Sequence, residues 1–180
     1  MVLIHLADGF EEIEAISVVD VLRRAEIEVK TVSIMGKKEV LGAHNISVIA
    51  DVLYEDVDYA GADMIILPGG QPGADNLNRS DELKKQIRGF YQQGKMLAAI
   101  CAAPLVFGNT GILKGKRATC YPGYEKQLTG ATYTNADIEI DNNIITGKGP
   151  GVALKFSLIL VEKLLGKGKA DEIKKAMIFT

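Results

Sequence analysis

Met96-Leu97-Ala98-Ala99-Ile100-Cys101-Ala102-Ala103-Pro104-Leu105-Val106-Phe107 is the stretch on which the fold turns. Its first five residues form an unbroken apolar run, the mark of a strand buried on both faces. A helix is predicted from Ala102 through Phe107, with Pro104 in its first turn, where a missing N–H costs no helical bond. Cys101 therefore stands at a strand-to-helix reversal, the pattern of a nucleophile elbow with a thiol in place of serine. Such a turn crowds the residues two before and two after the nucleophile, and both are small here, Ala99 and Ala103. A thiol beside a helix N-terminus meets orphan N–H groups and the positive end of the dipole, and both favour thiolate. The other reading of Cys101 is an inert cysteine filling space in the core.

Outward from this stretch the chain alternates short apolar strands with helices. Val2–Ala7, interrupted only by His5, reads as a central strand. Glu11–Ala25 reads as a helix whose Ile13, Ile16, Val19 and Leu22 form one apolar face, widened by Ala15, Val18 and Val21. So wide a face suits a helix packed on a sheet and on something else. Glu28–Ile34 is β-branched and alternating, a second strand. Lys37–Asp51 reads as a hairpin around Gly42–Asn45. Met64–Leu67 is a buried strand ending in Pro68-Gly69-Gly70. Asp81–Gln93 is a helix with Ser80 as N-cap and Gly94 just past its end. Lys116–Ala118, Thr132–Thr134, Asp137–Ile140 and Ile144–Thr146 are short strands, followed by helices at Val152–Leu165 and Asp171–Met177. This order describes one α/β domain over residues 1–180, with a mostly parallel sheet covered by helices on both faces. Sites in such sheets form at the carboxyl ends of strands, which selects Asp8–Glu14, Pro68–Gly73 and Cys101–Pro104.

Composition sets the bounds. The 180 residues include 21 basic and 23 acidic side chains, a formal net charge of −2. No basic surplus is present for nucleic acid binding. The longest apolar runs fall short of a membrane span, and the first residues lack a basic leader. Two cysteines make no disulfide framework, so the expected compartment is the reducing cytoplasm. Two histidines and two scattered cysteines give no zinc set, and no cofactor is expected. Gly89–Met96 imitates a P-loop, but it runs from helix to strand and has Met96 in place of Ser or Thr. Gly147–Gly151 lacks the spacing of a dinucleotide loop and caps the helix after it.

Around Cys101, three groups of residues carry chemistry. Pro68-Gly69-Gly70-Gln71-Pro72-Gly73 leaves backbone N–H groups free to face a ligand oxygen, as an oxyanion hole requires. Glu11 and Glu12 complement the helix dipole. Glu14 lies next to the apolar stripe, four before Val18; turned inward, its burial favours the neutral acid, which can donate to a thiolate and act as general acid or base. His5 lies inside the first strand as a core histidine. His44 falls in the hairpin turn, so no histidine is obviously placed as the base of a Cys–His pair. Cys120 is read either as a small packed residue or as a resolving thiol for an oxidised Cys101.

Ala7-Asp8-Gly9-Phe10-Glu11-Glu12-Ile13-Glu14, Val19-Asp20-Val21-Leu22-Arg23-Arg24-Ala25, Leu67-Pro68-Gly69-Gly70, Ala99-Ile100-Cys101-Ala102-Ala103-Pro104 and Gly147-Lys148-Gly149-Pro150-Gly151 occur in that order. Together they resemble the ThiJ/PfpI family, in the branch of a Parkinsonism-associated redox protein described as a deglycase. The resemblance covers essentially the whole chain. It implies a flavodoxin-like sandwich, a homodimer, a nucleophile at Cys101, a protonated Glu14, and backbone donors from Gly70 and Ala102. It also assigns Gly69, Arg24, His44 and Tyr121 to the pocket, with Tyr121 where the branch often has histidine. The protease branch has histidine directly after the cysteine, where this chain has Ala102, which counts against peptidase or other hydrolase chemistry. The implied activity is that of a glyoxalase or deglycase on small reactive dicarbonyls or glycated adducts. The alternative is an oxidative-stress sensor or chaperone that forms a sulfinate at Cys101. The family's thiamine (thiazole) label has no phosphate-handling residues behind it here.

Overall fold

Val2–Leu6 forms β1, every residue of which is buried; the computed structural model describes residues 1–180. The remaining elements follow as α1 (Glu12–Arg24), β2 (Val29–Ser33), β3 (Glu39–Leu41), β4 (Ser47–Ile49), β5 (Val52–Leu53), β6 (Met64–Leu67), α2 (Gly73–Arg79), α3 (Asp81–Gln92), β7 (Met96–Ile100), α4 (Pro104–Thr110), β8 (Arg117–Ala118), β9 (Thr132–Tyr133), β10 (Ile138–Asp141), β11 (Ile144–Gly147), α5 (Ala153–Leu165) and α6 (Lys167–Ala176). Seven strands make one sheet in the order β10-β11-β7-β6-β1-β2-β5. Every neighbour pair is parallel except the edge hairpin β10–β11. Helices α1, α5 and α6 pack together as one layer and α2, α3 and α4 as another. A continuous core of 50 buried apolar residues fills the space between the layers. This is the expected α/β, flavodoxin-like architecture. The predicted hairpin is also present: β3 and β4 pair antiparallel across the turn that carries His44.

The structure differs from the sequence reading in α6, which starts at Lys167 rather than Asp171, in the added strand β5, and in three further features with local reasons. The helix after Cys101 begins at Pro104, because residues 101–103 are used up in the turn itself. Gly73–Arg79 forms a helix that its glycines and asparagines concealed. On α1 the buried face is Glu14, Ala15, Val18, Val21 and Leu22, at a spacing of three to four, while Ile13 and Ile16 are 58% and 44% exposed. Of the expected stripe, Val19 and Leu22 are buried and Ile13 and Ile16 are not, so the buried face is shifted toward Ala15, Val18 and Val21, and the shift turns Glu14 inward.

His5 is a core residue, as expected. Its Nε2 lies 2.8 Å from the Tyr59 hydroxyl, and its ring stacks on the Tyr59 ring. Burial pushes its pKa down to about 3.

Candidate functional site

Parallel order brings the carboxyl ends of β1, β6 and β7 to one edge of the sheet, and each ends in a loop that contributes to the site. β7 delivers Cys101 in the left-handed region at φ +64°, where a residue with a side chain is strained. Neighbouring chain holds it there: its N–H donates to the Gly147 carbonyl at 2.9 Å, and its carbonyl accepts from the Tyr121 N–H at 2.8 Å. The flanking Ala99 and Ala103 are wholly buried, which shows why neither position has room for a larger side chain.

β6 delivers Gly69 and Gly70. A Cβ on Gly69 would lie 2.6 Å from the Cys101 Cβ and 3.0 Å from Glu14 Oε2, so only glycine lets the carboxyl and the thiol meet. The loop after β1 leads into α1, where Glu11 is the N-cap and its Oε2 accepts from the Glu14 N–H at 2.8 Å. Glu14, one turn in, is wholly buried. Its Oε2 accepts from the Gly69 N–H at 2.8 Å, while Oε1 has no hydrogen-bond donor directed at it.

The electrostatics of the pair follow from this packing. Burial raises the Glu14 carboxyl to about 7, against the pull of the Gly69 N–H. Burial, and then a charged Glu14 beside it, push the Cys101 thiol up to about 12, while the Gly70 and Ala102 N–H groups on the sulfur pull it down. The two groups touch and titrate as a unit, so their protonation steps belong to the pair. The donors on the sulfur are the Gly70 and Ala102 amides, and α4 starts too late to supply them.

Cys101 lies on the wall of a cavity of about 590 Å³, together with Glu11, Glu12, Ile13, His44, Ile46, Tyr121 and Pro150. His44 and Tyr121 therefore do reach the pocket. Arg24 does not: it sits at the far end of α1, exposed and bonded to Asp20 at 2.7 Å, because α1 points its first turn and not its last at the sheet edge. Cys120 is wholly buried and is not among the lining residues; burial pushes its thiol up to about 12. Glu11 and Glu12, read as dipole partners only, turn out to be buried cavity residues. Glu12 accepts from the His44 N–H at 2.6 Å through Oε1 and meets His44 Nδ1 at 2.7 Å through Oε2. Ile46 gave no signal, and Pro150 appeared only within the Gly147–Gly151 block, since the docking of the hairpin and of the loop after β11 places them here. Glu11, Glu12 and His44 bring one potential ligand atom each within 4.8 Å of the others. Their oxygens and Nδ1 are already engaged with one another and with the Glu14 amide, so the cluster is a clamp between α1 and the hairpin.

The family described as DJ-1/PfpI matches residues 1–163. The chain belongs to the DJ-1/PfpI family. Within it, the chain is 42% identical over 98% of its length to Protein DJ-1 homolog B of Arabidopsis thaliana, and spans 41% of that protein. It is 33% identical over 93% of its length to the glutathione-independent glyoxalase DJR-1.2 of Caenorhabditis elegans, and spans 89% of that protein. Among solved structures, oxidized DJ-1 from Toxoplasma gondii superposes with a TM-score of 0.95 at 36% identity, covering 99% of this chain and 98% of the other. These relatives place the chain in the DJ-1 branch of the DJ-1/PfpI family. No helix of the protein is long and apolar enough to cross a membrane.

Proposed function

We propose that this protein is a cofactor-independent glyoxalase that converts small reactive dicarbonyls to 2-hydroxy acids on Cys101 and Glu14. The observation that carries the reading is the contact of a buried carboxyl with a thiol on the wall of an open cavity. Glu14 Oε1 lacks a donor, and a bare buried carboxylate oxygen is costly. A proton on that oxygen, donated to Sγ, removes the cost and leaves the charge on the sulfur, where two amides already point. The name of the nematode relative supports the same chemistry.

With methylglyoxal, Sγ bonds to the aldehyde carbon and the carbonyl oxygen takes the Glu14 proton, giving a hemithioacetal. Glu14, now charged, removes the hydrogen on that carbon as a proton and returns it to the neighbouring carbon, while the hydroxyl proton of the first carbon passes to the oxygen of the second. The first carbon is oxidised to a thioester and the second reduced to an alcohol, with no outside electron carrier. Water then releases the hydroxy acid. The Gly70 and Ala102 amides stabilise charge on the sulfur and on the oxygen one bond away. The site works in the cytoplasm as a homodimer in this reading, with Ile13 and Ile16 of α1 facing the partner.

The test is methylglyoxal turnover without glutathione. Wild type turns over, and Cys101→Ser and Glu14→Gln each lose at least about 10²-fold. Equal rates in all three would remove the proposal.

A further inference from the structure

The geometry points to a second proton-handling pair in the same cavity: we propose that His44, oriented by Glu12, is the general base that activates water to release the acyl group from Cys101. The inference rests on the glyoxalase reading only for the identity of that acyl group.

Glu12 is a buried carboxylate with His44 on both its oxygens. Oε1 accepts from the His44 backbone N–H, and this fixes where the residue sits. Oε2 meets Nδ1, and this fixes the ring. A carboxylate only accepts, so a neutral His44 carries its proton on Nδ1 and leaves the Nε2 lone pair free. No hydrogen bond in the structure uses Nε2. The hairpin that bears His44 is itself anchored to the loop after β1. The Gly9 N–H donates to the Leu41 carbonyl at 2.7 Å, the Ala43 N–H to the Phe10 carbonyl at 2.8 Å, and the Leu41 N–H to Asp8 Oδ1 at 2.9 Å. Gly42 packs so closely on the Glu12 side chain that a Cβ there would clash with it. The base is thus held on a braced element, with its orienting carboxylate on α1, two residues ahead of Glu14.

A carboxylate that fixes the tautomer of an imidazole facing a nucleophile's cavity is the arrangement of a catalytic triad. Here the nucleophile already has a proton partner in Glu14, so the imidazole is free for another step. His44 and Cys101 line the same 590 Å³ space, and a water takes about 30 Å³. An acyl group on Sγ and a water therefore fit together. Nε2 takes a proton from water, and the water oxygen bonds to the thioester carbon. The carbon–sulfur bond breaks, with its electron pair going to Sγ. The products are a carboxylate, a thiolate and two protons, one from Nε2 and one from the new acid; one reprotonates Glu14 where the preceding steps left it charged, so that it again donates to Sγ, and the rest passes to solvent, which leaves His44 neutral for the next turnover.

The experiment separates acylation from release. Wild type, His44→Gln and Glu12→Gln are mixed with 4-nitrophenyl acetate, and separately with methylglyoxal. Nitrophenolate is followed in time, and acetyl-Cys101 is followed by intact mass. In His44→Gln the initial burst is unchanged, the steady-state rate falls about 10²-fold, and acetyl-Cys101 accumulates; Glu12→Gln shows a smaller loss of the same kind. His44→Gln releasing acetate at the wild-type rate, losing the burst and the steady state together, or wild type forming no acetyl-Cys101 would each overturn the inference. His44-dependent release of acetate by a wild type that leaves methylglyoxal untouched would retain the inference and discard the glyoxalase.

Discussion

At the scale of single residues, the candidate site depends on what burial does to ionisable groups. Glu14 was only half legible: its place beside the apolar stripe left its direction open, and burial of Ala15, Val18 and Val21 in place of Ile13 and Ile16 turns it inward. Glu11 and Glu12 were not, because a glutamate in a first helical turn has an ordinary explanation, and only the docked hairpin buries them. His5 shows the same physics without a catalytic role. It is neutral in the fold, with a pKa near 3, and titrates at 6.5 when unfolded. Unfolded chain then binds the extra proton between those values, so the contribution of His5 is intact above pH 6.5 and is lost as pH falls toward 3, with a slope of up to ~1.4 kcal/mol per pH unit. Denaturant unfolding across that range should show a steeper acid loss for wild type than for His5→Gln. Identical slopes would mean that His5 is not held neutral.

At the scale of elements, the site is three strand ends meeting, and the strands were the most readable parts of the chain. Met64–Leu67 and Met96–Ile100 fall where their apolar runs place them, and the glycines and small residues after them mark the turns. The turn at Cys101 was legible from Ala99 and Ala103. The start of α4 was not, since Ala102 and Ala103 suit a helix as well as a turn. The polar run Gly73–Arg79 hid α2, because a seven-residue helix shows too little periodicity to be seen. Gly69 is the element's critical position. Gly69→Ala drives a methyl group against the Cys101 Cβ and the Glu14 carboxyl, so turnover should fall by at least about 10²-fold. Melting should shift only by the ~1–3 kcal/mol of an overpacked contact. A Gly69→Ala protein with wild-type turnover would show that the thiol and carboxyl need not touch.

At the scale of the whole molecule, the layered α/β order was readable because buried parallel strands leave apolar runs and the intervening helices leave periodic ones. The width of the α1 face, read from the sequence, calls for a second partner on its outer side. Its Ile13 and Ile16 remain exposed, with Leu154 and the hairpin's Ile46 and Ile49 also on the surface. The proposed homodimer gives the α1 face an occupant. Light scattering should return twice 19.4 kDa for wild type and a single chain mass for Ile16→Glu; a wild-type protein at 19.4 kDa would rule the dimer out.

The proposed mechanism has two residues distant in sequence, Glu14 and Cys101, share one proton. The direct measurement is the rate of Cys101 alkylation against pH, in a Cys120→Ser background so that one thiol reports. Wild type should show its inflection below the ordinary thiol value of ~8.5, because the first proton the pair loses leaves the charge on the sulfur. Glu14→Gln should move the inflection up to the ordinary thiol value of ~8.5 or beyond, because burial remains and the proton partner is gone. The same inflection with and without the Glu14 carboxyl would contradict the account, since the sulfur would then be ionising alone.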